Sequence, residues 1–341
     1  MRRIILPLLL VLTLLTGCGT PAASRPEGPK QYQASFLELF DTVTTVLGYG
    51  DSREEFEARA REIRLELEHY HQLFDIYHDH EGGLKAVNDA AGIAPVKVDP
   101  AVLELLEDCK EFYDLTEGRV NVFFGSVLSL WHDAREDAVE DPAAGALPDA
   151  QALAEAAEHC DPASVILDPL EGTVFITDPA LRIDVGAVAK GWAAQRAARK
   201  APAGMLISVG GNVCATGPKP QGKPWVVGIQ SPDDSGAYVH TLNIMDSTVV
   251  TSGDYQRYFV VDGIRYHHII DPDTLQPSRY WRSVTVACDD SGLGDCLSTA
   301  LFLMDREQGQ ALLDKTGAQA MWMDGEGNRF YSEGFSALIR S

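Results

Sequence analysis

Asp184-Val185-Gly186-Ala187-Val188-Ala189-Lys190-Gly191 is the stretch on which the reading of this chain turns. An apolar run from Val174 to Ile183 precedes it and reads as a strand. An Ala-rich stretch ending near Lys200 follows and reads as a helix. A strand that delivers Asp184, turns at Gly186 and opens a helix carrying Lys190 is suited to meet an anion. The first N–H groups of a helix have no partner within it, and its dipole favours negative charge there. A plain strand-to-helix turn with a solvated lysine would leave the same trace, so the stretch has to be weighed with the rest of the chain.

Composition narrows the classes. The chain has 341 residues, 45% of them apolar, and a formal net charge of −22. That length and apolar content support one large or two small domains with a real core. The acidity argues against nucleic acid, which needs a basic footprint. An anionic ligand would need a local cation or a helix N-terminus.

The N-terminus carries a targeting signal. Arg2 and Arg3 precede an apolar run from Ile4 to Leu15, too short to span a bilayer and typical of a secretory leader. Leu15-Thr16-Gly17-Cys18 looks like the bacterial lipobox. The expectation is a leader over 1–17, a lipidated Cys18 opening a flexible tether over 18–34, and a folded domain over 35–341. The protein would then sit in the bacterial cell envelope, held to the membrane by its lipid. The other five cysteines show no C-x-x-C spacing and read as buried small hydrophobes. One disulfide among them is left open.

Along the chain, Phe36 to Leu47 reads as one strand whose alternation shifts phase midway. Ser52 caps a helix to Phe74 with Phe56, Ile63, Leu67, Tyr70 and Phe74 at core spacing. Asp99-Pro100 opens a second helix. Asp133 to Pro148, acidic and then rich in Ala, Gly and Pro, reads as a surface loop. His69, His71, His78 and His80 lie close in sequence but lack metal-ligand spacing. Asp262-Gly263 marks a hairpin. Meandering strands and separate helices predict an α+β fold.

Three later segments carry the chemistry: Ser208-Val209-Gly210-Gly211-Asn212; Thr251-Ser252-Gly253-Asp254-Tyr255 with His267-His268-Ile269-Ile270-Asp271-Pro272; and Gly294-Asp295-Cys296-Leu297-Ser298-Thr299-Ala300. Asp295 and Thr299 lie four apart at a helix start, so their oxygens face the same way. A carboxylate with a hydroxyl suits Mg²⁺, which takes a few protein oxygens and leaves room for phosphates. An acid favoured by the dipole and a Thr bonding back into its own helix would look the same.

With the Asp184 stretch, and in this order, these segments resemble the ApbE family of FAD:protein FMN transferases, over about Leu37 to Ser336. The resemblance implies an α+β fold of mixed and antiparallel sheets packed with helices, with the flavin site between two lobes. It implies Mg²⁺ held by Asp295, Thr299 and the main-chain oxygen of Ala187. It implies FAD contacts at Phe40, Tyr77, Arg119, Val120, Asn121, Asp184, Lys190 and Ile270, and catalytic roles for His268 and Asp295. A hydrogen-bonded core histidine is the other reading of His268. The implied reaction moves FMN from FAD to a Thr or Ser hydroxyl of an exported respiratory or electron-transfer partner and releases AMP. An FAD pyrophosphatase, an FAD-storing lipoprotein and a solute-binding lipoprotein are the alternatives. The chain departs from the family pattern at several places. Phe40-Asp41 stands for Met-Gly, Gly82-Gly83-Leu84 for a Ser-rich segment, Val120-Asn121 for an aromatic and Asp in the loop that leads, at Leu130-Trp131, into the family's Leu-Trp-Gly helix, and Leu275 for a Gly.

Overall fold

The computed structural model describes residues 29–141, 145–233 and 236–340. The leader, Cys18 and most of the expected tether lie outside the described residues.

The chain enters on a hairpin, β1 (Lys30–Leu39) and β2 (Thr42–Gly50), that turns over Phe40 and Asp41. This corrects two expectations. The single strand over Phe36–Leu47 is two strands, and its phase shift marks the turn. The folded part also starts at Lys30, five residues inside the expected tether of 18–34. Phe40 and Asp41 both adopt left-handed backbone, φ 55° and 52°. Two-residue hairpin turns demand that geometry and usually recruit Asn or Gly for it, so the residue types gave no turn signal.

Helix α1 (Arg53–Phe74) starts as predicted, with the Ser52 side chain accepting from the Glu55 N–H, and it buries Phe56, Ile63, Leu67, Tyr70 and Phe74. Next come α2 (Leu84–Asp89), β3 (Val96–Lys97) and α3 (Pro100–Leu115), the last capped by Asp99. Helix α4 (Gly125–Glu140) overruns the loop expected from Asp133. Its acids lie on the solvent side while Ala134 and Ala138 pack inward, so acidic composition masked a helical period. Then come α5 (Ala150–Ala157), β4 (Val165–Asp168) and β5 (Thr173–Ile176). The strand expected to run on to Ile183 stops at Ile176, and residues 177–188 form a loop before α6 (Ala189–Lys200).

The second half supplies most of the main sheet. Its strands are β6 (Met205–Val209), β7 (Asn212–Ala215), β8 (Trp225–Gln230), β9 (Tyr238–Ile244), β10 (Thr248–Gly253), β11 (Tyr258–Val261), β12 (Ile264–His267), β13 (Ile270–Asp271), β14 (Gln276–Pro277) and β15 (Ser283–Cys288). Helices α7 (Ser291–Phe302) and α8 (Arg306–Thr316) and strands β16 (Gln319–Met323) and β17 (Arg329–Tyr331) close the chain. Eight strands form one antiparallel sheet in the order β1-β2-β6-β7-β10-β15-β16-β17.

Alternation along these strands builds two cores. Ile207, Val209, Val284, Val286 and Trp322 face the helical layer with Phe56, Leu67, Trp192, Leu297 and Phe302. Their neighbours Leu206, Ala287 and Met321 face the other way, against Trp225, Ile229 and Leu242 of the β8–β9 hairpin. Successive side chains of a strand point to opposite faces, and each large apolar side chain buried this way contributes about 1.5–3 kcal/mol. A third cluster joins Phe124, Val127 and Trp131 of α4 to Leu153, Phe259 and Ile270. The mixed helices and antiparallel sheets are the α+β architecture the sequence predicts.

All five described cysteines are free. Burial raises the Cys109, Cys214 and Cys296 thiols, which makes them inert packing groups. The four clustered histidines serve separate partners. His69 faces Asp99, His71 accepts from the Phe40 N–H, and His78 and His80 flank Asp75. Among the described residues no three His, Cys, Asp or Glu side chains are grouped to hold a metal, and no helix is long and apolar enough to cross a membrane.

Candidate functional site

The loop over 177–188 is placed by bonds from distant elements. The buried Asn88 of α2 holds Ile183 twice, Nδ2 donating to its carbonyl at 3.0 Å and Oδ1 accepting its N–H at 2.8 Å. The Asp184 N–H donates to the Val122 carbonyl and the Gly125 N–H to the Arg182 carbonyl. Gly125 is required at that crossing, because a Cβ there would lie 2.5 Å from the Arg182 oxygen. Asp184 then folds on itself, its Oδ1 accepting from the Gly186 N–H at 2.8 Å.

The helix N-terminus does meet an anion, and the anion is part of the protein. The Gly191 N–H donates to Asp295 Oδ2 at 2.8 Å. Gly191 is the third residue of α6, so its N–H has no partner within the helix, and the carboxylate supplies one. Helices α6 and α7 approach so closely here that a Cβ on Gly191 would meet the Ser291 oxygen at 2.2 Å and Asp295 Cβ at 2.5 Å. Lys190 Nζ reaches the Gly186 carbonyl at 3.3 Å and Asp295 Oδ2 at 3.7 Å.

Asp295 is thus a carboxylate with 5% of its surface exposed and few partners. Burial raises its pKa, while Lys190, the Gly191 N–H and the amide of Asn212 pull it back down. Asn212 opens β7 after Gly210 and Gly211, both in left-handed backbone. It is 2% exposed, and its Oδ1 has no hydrogen-bond partner. Thr299 lies one turn along α7 and is half-buried. Its neighbour Ser298 bonds Ser252 at 2.7 Å, which ties the Thr251–Tyr255 segment to the helix carrying Asp295 and Thr299.

The two adjacent histidines divide the two readings of the His-His pair. His267 is the core residue. Its Nε2–H donates to the Ser278 carbonyl at 2.7 Å, and its Nδ1 accepts from the Ile269 N–H. His268 is open to solvent although protein crowds its ring. The Arg257 carbonyl accepts from both its backbone N–H and its Nδ1–H, each at 3.1 Å. This leaves Nε2 as a free lone pair. Desolvation first, then the charge of Lys190, lower the His268 pKa to about 3. The influence of Lys190 shows that His268 lies within range of the lysine's charge.

The remaining predicted contacts are distributed unevenly. Tyr77 is 56% exposed and faces the carboxylate of Asp184. Phe40 sits at the tip of the first hairpin, edge-on to His71. Arg119 pairs with Asp271 and Asp273. The side chains of the next two residues turn inward. Val120 is core, and Asn121 spends its amide on the Cys160 carbonyl and the Phe123 N–H, leaving backbone as what they can offer a ligand. Ile270 is buried in the third cluster. Leu275, in the place of a family Gly, takes the left-handed φ of 57° that Gly would take. Its N–H donates to the Asp271 carbonyl, and its own carbonyl accepts from Trp131 Nε1. Sequence reasoning missed Asn88 as the anchor of the loop, Gly191 as the donor to Asp295 and the burial of Asn212. All three depend on pairings across the fold that no local pattern carries.

Comparison with known proteins identifies the family and the fold. Residues 40–322 match the model of the ApbE family. The chain is 34% identical over 316 residues to an FAD:protein FMN transferase of Treponema pallidum, covering 87% of this chain and 85% of that one. It is 33% identical over 263 residues to one from Klebsiella pneumoniae, covering 75% and 79%. The ApbE protein of Thermotoga maritima superposes with a TM-score of 0.82 at 28% identity, over 92% of this chain and all of that one.

Proposed function

Because the chain belongs to the ApbE family, we propose that it is an FAD:protein FMN transferase that uses Mg²⁺ and acts on a Thr or Ser hydroxyl of an exported partner protein. The observation that carries this reading is the turn of α6 onto Asp295. It brings a buried carboxylate and a lysine together at the start of a helix, with His268 within reach of the lysine's charge.

The residues fit a small hard cation. Asp295, Thr299 and the Ala187 carbonyl offer oxygen only, and few of them, which matches Mg²⁺ with phosphate oxygens completing its shell. A buried carboxylate raised by desolvation, with its one lysine at 3.7 Å, also gains from a nearby cation. Mg²⁺ held there would neutralise charge developing on the phosphate oxygens.

The chain's own groups supply the rest. Lys190 adds a point cation beside the pyrophosphate. The acceptor hydroxyl attacks the FMN phosphorus, the bond from that phosphorus to the bridging oxygen breaks, and AMP leaves with the bridging oxygen. His268 Nε2 takes the hydroxyl proton. Desolvation is the main cause of the low imidazole pKa, and a pyrophosphate bound beside Lys190 offsets the smaller part that comes from the lysine charge. We also place the protein on the envelope membrane through lipidated Cys18; a Cys18→Ser chain still recovered in the membrane fraction would contradict that placement.

The test is release of AMP from FAD and Mg²⁺ in the presence of an acceptor domain bearing an exposed Thr, by wild type and by Asp295→Ala, with far-ultraviolet dichroism to confirm that both are folded. The variant should lose at least about 100-fold in rate, as expected when a group that positions a catalytic metal is removed. Equal rates would remove Asp295 from the site.

A further inference from the structure

We propose that His132 and Asp75 hold Tyr77 as a ready-made stacking face for the flavin ring, His132 from behind and Asp75 through the backbone. The inference deepens the FAD reading above and rests on it.

Tyr77 is a large aromatic left 56% exposed, yet it is not loose. The imidazole of His132, on α4, stacks on one face of its ring, with centroids 5.2 Å apart and planes at 27°. His132 is itself fixed on both nitrogens. Its Nδ1 accepts from Arg135 Nη2 at 3.0 Å, and its Nε2 lies 3.0 Å from the Glu136 carboxylate. One rotamer and one tautomer satisfy both neighbours. The family pattern has Gly at this position of the Leu-Trp-Gly helix, so the stacked imidazole is a feature of this chain.

The backbone under Tyr77 is held from the other side. Asp75, at the C-terminal end of α1, accepts the N–H groups of Tyr77 at 2.7 Å and of His78 at 3.1 Å on one oxygen. Its other oxygen receives the His78 ring at 2.8 Å, with His80 at 3.6 Å. The carboxylate is largely enclosed, with 12% of the side chain exposed. These contacts fix where the tyrosine leaves the chain, and His132 fixes how its ring lies.

No second ring among the described residues stacks on Tyr77, which is left largely exposed. Asp184 and Arg257 both act on its phenol, which desolvation together with Asp184 raises to about 12. Asp184 lies on the loop that leads into Ala187 and Lys190. A flat side chain stacked on one face and otherwise exposed, within reach of the Asp184 charge, is arranged to receive one flat conjugated ring. Because its pose is set beforehand, stacking loses little side-chain freedom. His132 and Asp75 are positioning residues that act through Tyr77.

The experiment titrates the full-length protein, in detergent, with FAD and follows quenching of flavin fluorescence, with steady-state KM and kcat for FAD beside it. His132→Ala should weaken FAD binding about 3- to 10-fold, the range a lost aromatic pair gives. KM should rise while kcat at saturating FAD stays near wild type. His132→Phe, which keeps the stack without the polar contacts, should restore binding. Asp75→Ala should behave as His132→Ala does, and Asp75→Asn, which keeps the accepting oxygen, should restore it. Wild-type affinity in both alanine variants, with weak binding in Tyr77→Ala, would overturn the proposal and leave the FAD reading standing. A lower thermal midpoint with unchanged affinity would also overturn it, by assigning the two residues to the fold alone. No change on Tyr77→Ala would instead remove this face from the FAD site.

Discussion

His268 shows how a single side chain is prepared for its task. Bonding of Nδ1–H to the Arg257 carbonyl selects one tautomer, and crowding together with Lys190 keeps the ring neutral. The same depression makes the fold sensitive to acid. The folded pKa lies near 3, below the unfolded value near 6.5, so between those values the unfolded chain binds more protons. Stability from this group is therefore complete above about pH 6.5 and falls as pH drops toward 3. His267 and His240 are also lowered by burial and add to the same trend. Denaturant melts of wild type and His268→Asn across that window should show a shallower acid loss in the variant. Parallel pH curves would mean that the ring is not held neutral by the fold. From the sequence, the His-His pair was legible as a candidate, but which of the two faced the core was not. The answer depends on Ser278 and Arg257, eleven residues away on either side.

Among elements, the contact of α6 with α7 matters most, because it places the donor of one helix N-terminus on the acid of another. Gly191 makes it possible. Gly191→Ala would drive a methyl group into the Ser291 carbonyl and the Asp295 Cβ, neither of which is a flexible chain end. The expected cost is about 1–3 kcal/mol, typical of overpacking, with loss of AMP release as the helices part. Urea unfolding checks the first and the FAD assay the second. A variant with wild-type stability and rate would show that the close approach is not needed. Elements with strong end signals were readable in advance, as Ser52 and Asp99 at the starts of α1 and α3 show. Those defined by tertiary constraint were not. Phe40, Asp41 and Leu275 hold left-handed backbone at a cost of about 1–2 kcal/mol each, and surrounding bonds, not residue type, put them there. Residues 177–183 read as a continuation of the strand because Leu181 and Ile183 extend its apolar run; both are buried, but in irregular backbone.

At the scale of the molecule, one antiparallel sheet carries the helical layer whose turns supply Lys190, Asp295 and Thr299, while the β11–β13 region and α4 bring His268 and His132 from the other side. The protein keeps a strongly negative net charge, and the cations nearest the site, Lys190, Arg119 and Arg257, each lie against carboxylates. The motifs announced the chemistry because each sits on a turn or helix start with its own local logic. The assembly of those motifs into one cleft came only with the fold. The central claim is transfer of FMN to a protein hydroxyl. Its most direct test incubates the full-length protein, in detergent, with FAD, Mg²⁺ and an exported flavoprotein domain bearing an exposed Thr. Flavin fluorescence that stays with the acceptor through denaturation is then measured against free AMP. Labelled acceptor and AMP in equal amounts is the predicted result; AMP with free FMN and no label would contradict transfer and make the protein an FAD pyrophosphatase.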